Sequence, residues 1–456
     1  MRPNHPATRK SAGAQRPPPP EATPGYVPRW VAAQAIGDAL TYGKPLDDRF
    51  PGPDGGSAPQ ILDARDRALA RSIATVAMRR LGTIRKGLGR FLEKGMPRKA
   101  GPLESTLIAA AAQILFLETS DHAAVDLAVR AVRADPASAP YAALANAVLR
   151  NVARAKPEIV GDAEPLDDAP PWLAARWKAN YGEEIALAIA AAHLQEPTLD
   201  ISVKSDAEGW AARLGGTVLP TGSVRLETHA PIPELEGFGD GEWWVQDAAA
   251  ALPARLLPIS PGDRVADLCA APGGKTAQLA QRGAHVSALD RSAQRLKRVA
   301  ANLERLKLEA ELVIANAATY DAPPFDAVLL DAPCASTGTI RRHPDVAWTK
   351  RAGDIAALAK TQAELLARAV ALTKRGGSIV YCTCSLEPEE GEAQIAALLR
   401  RHPDVKRTPI EAEEIGGLAE CVTPLGDLRT LPCHLPGATP RQSGLDGFYA
   451  ARLRKG

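Results

Sequence analysis

The sequence predicts a three-part protein: an all-α N-terminal domain, a small α+β linker domain, and a C-terminal α/β domain built on a doubly wound parallel sheet. Three observations lead there. Apolar residues recur with a helical period through residues 28–155. From about residue 246, short apolar runs alternate with helical patterns. Two of those runs end in a cysteine, Leu329-Leu330-Asp331-Ala332-Pro333-Cys334 and Val380-Tyr381-Cys382-Thr383-Cys384. In open α/β sheets ligands bind at the carboxyl ends of the strands, where a thiol can do covalent chemistry.

Residues 1–27 carry Pro17-Pro18-Pro19-Pro20 and no apolar core, and read as a disordered tail. In 28–155, Val31, Ala35, Ile36 and Leu40 share one helix face; so do Leu69, Ile73, Val76 and Ala77, and then Leu107, Ile108, Ala111, Ile114 and Leu115. Further helices are expected around Leu127–Val132 and over Tyr141–Val152. A Gly- and Pro-rich loop, 51–56, separates the first two. Residues 156–245 should hold two helices, the first opened by Pro170-Pro171, then a strand over Leu199–Val203 and shorter strands near Gly216–Leu219 and Val224–Thr228. Residues 246–456 should hold strands at Arg264–Leu268, His285–Leu289, Glu311–Ala315, Ala327–Leu330 and Ile379–Tyr381, with helices between them. A last helix should open at Pro388-Glu389-Glu390.

Formal net charge is only +2 over 456 residues, so the chain is not a polycation. Charge is uneven, however: Arg79, Arg80, Arg85, Lys86, Arg90, Lys94, Arg98 and Lys99 are opposed within that stretch by Glu93 alone. This is either a solvated helix face or a phosphate-contacting patch. The six cysteines form no C-x-x-C pair and the histidines fall at no zinc spacing, so no metal is expected. No secretory signal and no membrane-length apolar run is visible, and reduced thiols in the cytoplasm are expected.

Asp267-Leu268-Cys269-Ala270-Ala271-Pro272-Gly273-Gly274-Lys275-Thr276 reads as a strand, a glycine turn and a helix N-terminus. The next strand ends in Asp290, whose carboxylate can accept both hydroxyls of a ribose. Together they suggest a nucleoside-bearing cofactor; the missing G-x-G-x-x-G speaks against a dinucleotide, and the P-loop pattern also fails. The bland alternatives are a turn without a ligand, small buried cysteines at 334 and 384, and an exposed loop at Arg341-Arg342. Cys382 should lie deeper and serve packing, while Cys421 and Cys433 look incidental.

These motifs, in this order, resemble the Sun-type family of RNA (cytosine-5)-methyltransferases. Val245-Gln246-Asp247 and Asp446-Gly447-Phe448-Tyr449-Ala450 fit the same pattern, and residues 28–155 resemble a NusB-like RNA-binding domain. The pairing points to the RsmB-like branch, which acts on bacterial small-subunit ribosomal RNA. The resemblance implies a Rossmann-like domain over 246–456 that uses S-adenosyl-L-methionine. Cys269, Ala270, Ala271, Pro272, Gly273, Gly274 and Lys275 would wrap its methionine end, Asp290 would hold the ribose, and Asn316 would lie near the adenine. Asp331 would sit beside both cofactor and target base, Cys384 would be the nucleophile, and Cys334 would help release the product. The thiolate of Cys384 should be favoured by nearby positive charge. Arg79, Arg80, Arg85, Lys86, Arg341 and Arg342 would contact RNA, and the protein is expected to work as a monomer.

Two positions depart from the family pattern. Asn316 stands where Asp is frequent, though its amide oxygen can still accept from an adenine amino group. Gly391 follows Pro388-Glu389-Glu390 where Asn is usual, which leaves the local helix geometry open. Transfer RNA or another RNA as substrate, and a non-catalytic RNA-binding assembly role, stand as alternatives.

Overall fold

The computed structural model describes residues 23–50, 62–228 and 230–456. Most of the expected tail and the whole of the 51–56 loop lie outside the described residues; the first helix starts within the expected tail, at Tyr26. The N-terminal domain packs helices Tyr26–Tyr42, Ala64–Arg79, Leu81–Gly89, Leu103–Phe116, Asp121–Ala134 and Ala142–Arg154 around one core. Leu103–Phe116 is the central helix, and its residues from Ser105 to Leu115 are all buried. Its alanines admit close neighbours, while Leu107, Ile108, Ile114 and Leu115 fill the space between them. Asp63 starts the second long helix by accepting the Asp66 amide at 2.7 Å. That helix ends at Arg79 and a new one begins at Leu81, so the basic stretch is split over two helices and a loop.

The middle segment places helices Pro171–Tyr181 and Glu183–His193 before a four-stranded antiparallel sheet. Its strands are β1 (Leu199–Val203), β2 (Gly216–Val218), β3 (Val224–Leu226) and β4 (Trp243–Val245), in the order β2-β3-β1-β4. Sequence patterning missed β4 and the helix Ala207–Leu214, both too short to show a period. Leu173, Trp177 and Ile189 pack with Ile340, Ala347 and Leu386 of the C-terminal domain, so the two helices rest directly on it.

The C-terminal sheet contains β5 (Arg264–Asp267), β6 (His285–Asp290), β7 (Glu311–Ile314), β8 (Phe325–Asp331), β9 (Thr373–Thr383), β10 (Val405–Arg407), β11 (Leu428–Thr430) and β12 (Phe448–Lys455). The main order is β10-β12-β9-β8-β5-β6-β7, with β11 pairing β12. The five strands from β9 to β7 are parallel, as the alternation predicts. β12 adds antiparallel to β9 and covers an edge that a purely parallel reading leaves open. The chain runs outward from β5 through β6 to β7, then crosses to β8 on the other side of β5. That reversal opens a crevice above β5 and β8.

The last helix does not run on from Pro388. A single 3-10 turn, Pro388–Glu390, is followed by Gly391 and then by the helix Glu392–Arg401. A Cβ at Gly391 would lie 2.8 Å from Arg429 Nη2 and 2.9 Å from the Tyr449 ring, so the glycine lets both pack here. Among the described residues no helix is long and apolar enough to cross a membrane.

Candidate active site

A cleft of about 740 Å³ opens over the carboxyl ends of β5, β6 and β8. Its first wall is the turn from Leu268 to Gly273, which delivers the helix Gly274–Gln281. Gly273 has φ +104°, a conformation glycine accepts freely. A Cβ on Gly274 would lie 3.4 Å from the Gln246 amide, so the helix start sits close against β4 and its following turn. The expected cradle Cys269–Lys275, Asp290, Asn316 and Asp331 all line this one cleft.

Each acid in the cleft is held differently. Asp290 is buried; it accepts the Ser292 amide at 2.9 Å and faces Arg295 at 3.2 Å. Asp331 takes Lys275 Nζ at 2.8 Å on one oxygen and the Cys382 thiol at 3.6 Å near the other. Burial alone would depress Lys275, but the Asp331 carboxylate outweighs it and holds the ammonium above its usual range. The same ammonium lies 4.8 Å from the centre of the Phe448 ring. Asp267, not singled out from sequence as a ligand, accepts Thr276 Oγ1 at 2.7 Å, and its other oxygen has no hydrogen-bond partner among the described residues. Burial pushes its carboxyl up to about 6. A buried unsatisfied oxygen in a cleft calls for a donor from outside the chain. The signal in the sequence was its place as the last residue of β5, as Asp290 is the last residue of β6.

Cys334 lies three residues beyond β8 and Cys384 one residue beyond β9, and their sulfurs are 3.5 Å apart. Cys384 is held below the ordinary thiol range, first by its hydrogen bond with Cys334, against the opposing effect of burial. Cys334 is raised by the same bond and by burial. The expected cause was nearby positive charge; Lys275 does help, but less than the neighbouring thiol. Cys269 is pushed up to about 12 by burial and stays a thiol. Beneath the pair, buried Glu390 accepts the Ala335 amide at 3.0 Å and Ser385 Oγ at 2.6 Å, tying the two cysteine loops together. Asn316 turns its amide oxygen to the Ala318 amide at 3.1 Å, leaving one lone pair for a ligand.

The expected RNA contacts divide. Arg79 and Arg341 are corrections: both are buried and cannot reach a phosphate. Arg79 donates to the carbonyls of His193, Gln195 and Arg341 at 2.8–2.9 Å, and burial lowers it only to about 10, so it stays charged. Arg341 pairs with buried Asp247 at 3.1 Å. The hint was that Arg79 follows Ile73 and Val76 at three-residue steps, on the apolar face of its helix. Arg342 lines the cleft, its Nε 2.8 Å from Asp446. Arg80 lies over the Phe116 ring and 3.8 Å from Asp168. Arg85 and Lys86 are exposed and paired with Glu104 and Asp167. Among the described residues, no group of three or more His, Cys, Asp or Glu is arranged to hold a metal.

The family description "16S rRNA methyltransferase RsmB/F" matches residues 254–454, and the NusB family matches residues 28–154. The ribosomal RNA small subunit methyltransferase B of Sodalis glossinidius is 35% identical over 453 residues, covering 94% of this chain and 98% of that protein. Its counterpart from Xylella fastidiosa (strain Temecula1) is 36% identical over 449 residues, with the same coverage. Among solved structures, PH0851 superposes with a TM-score of 0.71 at 24% identity, covering 95% of this chain and 99% of that one. A methyltransferase homolog protein from Pyrococcus horikoshii gives 0.52 at 28% identity, covering 62% and 94%. With the two-cysteine cleft at the strand ends and this match along nearly its whole length, the chain belongs to the RsmB/F family of methyltransferases.

Proposed function

We propose that this protein transfers a methyl group from S-adenosyl-L-methionine to carbon 5 of a specific cytosine in small-subunit (16S) ribosomal RNA, through a transient bond to Cys384. The observation that carries this reading is the 3.5 Å approach of Cys334 and Cys384 at the rim of an acid-lined cleft. The names of the relatives supply the RNA class.

The cleft fits the donor. Asp290 suits ribose hydroxyls, and the unsatisfied oxygen of Asp267 suits an ammonium. S-adenosylmethionine supplies an electrophilic methyl group on a sulfonium.

Carbon 5 of cytosine is a poor nucleophile. Addition of the Cys384 thiolate to carbon 6 makes the ring enamine-like, so that carbon 5 can take the methyl. Asp331, fixed by Lys275 and Cys382, would face ring nitrogen 3 and stabilise the charge that addition develops. Once Cys384 is bonded to the ring, the hydrogen bond between the two thiols is lost. Cys334, after giving up its own proton to solvent, would act as the base that takes the carbon 5 proton, while the carbon–sulfur bond breaks and its electrons return to Cys384 as a thiolate. The target base must be unstacked to reach this cleft. The helical domain would bind RNA through exposed cations free of ion pairs among the described residues, such as Lys94, Arg98 and Lys99, rather than through Arg79.

The test is to incubate Cys334→Ala protein with cofactor and 16S RNA and run a denaturing gel. A protein–RNA adduct should accumulate, and it should vanish in the Cys334→Ala/Cys384→Ala double variant. Wild-type protein that leaves no 5-methylcytosine in 16S RNA, or Cys384→Ala protein that methylates at the wild-type rate, overturns the reading. Transfer RNA run in parallel distinguishes the substrate class.

A further inference from the structure

We propose that Arg79, in the N-terminal helical domain, is a positioning residue for the methyl-transfer site, holding the turn that carries the nucleophile's backbone. The inference rests on the function proposed above.

Arg79 is the last residue of its helix and lies far from the cleft in sequence, yet its guanidinium ends on the Arg341 carbonyl at 2.8 Å. Arg341 closes a tight turn. Within it the Thr339 amide donates to the Ser336 carbonyl at 3.0 Å, and the His343 amide to the Thr339 carbonyl at 2.8 Å. The other end of this turn grips the nucleophile's loop. The Gly338 amide donates to the Cys384 carbonyl at 3.0 Å, and Thr337 Oγ1 accepts the Leu386 amide at 3.0 Å. Ser336, Thr339 and Arg342 of the same turn line the cleft. One short, hydrogen-bonded segment therefore has a helical-domain arginine at one end and Cys384 at the other.

The remaining Arg79 bonds, to the carbonyls of His193 and Gln195, anchor its guanidinium in the linker segment. The group thus fixes the turn relative to two domains at once. Its three acceptors are carbonyls of three different residues, all gathered within 2.9 Å of one terminal nitrogen, Nη1, so that single end of the guanidinium ties them together. Arg79 is not the only bond across the domain junction. Trp348 Nε1 donates to the Met78 carbonyl at 2.9 Å, and Asp345 accepts the Leu46 amide at 3.1 Å. Docking should survive loss of Arg79 while the turn loosens. A nucleophile misplaced by about 1 Å can cost about a hundredfold in rate.

The experiment compares wild type, Arg79→Lys and Arg79→Ala in two assays. In the first, cofactor-free alkylation of Cys384 by iodoacetamide is followed against pH. In the second, methyl transfer is measured at saturating RNA and cofactor. The expected result for Arg79→Ala is a kcat lower by about ten- to a hundredfold, an unchanged KM for RNA, and a displaced alkylation profile. Arg79→Lys should fall between, and added guanidinium ion should partly restore Arg79→Ala. A lower melting temperature with unchanged kcat and unchanged alkylation overturns the proposal in favour of a purely structural role. A raised KM for RNA with unchanged kcat overturns it in favour of a phosphate contact. Because alkylation needs no RNA, failure of the Arg79 inference is distinct from failure of the proposed reaction, which would show as absent 5-methylcytosine with wild-type protein.

Discussion

The sulfurs of Cys334 and Cys384 share a hydrogen bond across 3.5 Å, although the two leave different strands fifty residues apart. The bond makes the two thiols unequal: Cys384 is the more acidic and Cys334 the less. Removing Cys334 should therefore raise the pKa of Cys384. In Cys334→Ala protein, the pH midpoint for iodoacetamide alkylation of Cys384 should move upward. Cys334→Ser, which keeps a hydroxyl donor, should move it less. An unmoved midpoint in Cys334→Ala would assign the low pKa to Ser336 and Lys275 instead.

The two cysteines were legible in sequence because each ends an apolar run, and strand ends converge in a parallel sheet. Their hydrogen bond was not, because it depends on the path of two loops between strands, and no periodicity encodes a loop. The same contrast runs through the fold. The five parallel strands could be read from alternation, but β12 could not be placed, since its partner β9 is chosen by the tertiary edge it covers. Arg79 and Arg341 were misjudged for a related reason. A run of basic residues looks solvated until the acceptors that bury it, here Asp247 and three carbonyls, are brought from distant segments.

Asp267 gives a pH dependence to cofactor binding. Its folded-state carboxyl is raised by burial to about 6, against roughly 3.9 when free. Folding favours the protonated form relative to the unfolded chain, so this group's contribution to stability is full below about pH 4 and is lost as pH rises through about 6. A cationic ligand group prefers the carboxylate. Affinity for S-adenosylmethionine, measured by calorimetry, should therefore strengthen between pH 5 and 7, and the thermal shift on binding should be larger at the higher pH. Asp267→Asn should weaken binding and flatten this dependence; an equally steep curve in that variant would move the proton to another group.

Gly338 is closely bound by its surroundings. A Cβ there would overlap the Gly447 carbonyl, which packs against the turn from the Asp446-Gly447-Phe448 segment. Gly338→Ala should shift the turn or the segment, at a cost of about 1–3 kcal/mol. Urea unfolding should show that loss. Turnover should fall as well, because Gly338 also bonds the Cys384 carbonyl. Wild-type kcat in a folded Gly338→Ala protein would show that the turn tolerates movement without disturbing the nucleophile.

Arg341 and Arg98 should part company when RNA binding is measured against salt. Arg341 neutralises buried Asp247, which also accepts the Ala249 amide at 2.9 Å and starts the helix Ala248–Leu256. Arg341→Ala leaves that carboxylate buried without its cation, and stability should fall by roughly 3–5 kcal/mol. Where the variant is still folded, the slope of log affinity against log salt should equal the wild-type value, since no phosphate contact is lost. Arg98 is exposed in the loop after Leu81–Gly89, so Arg98→Ala should leave unfolding unchanged. If it touches one phosphate, its slope should shrink by about 0.7–0.9. A reduced slope in folded Arg341→Ala, with no change in Arg98→Ala, would move the RNA path away from the helical domain and onto the cleft's own rim.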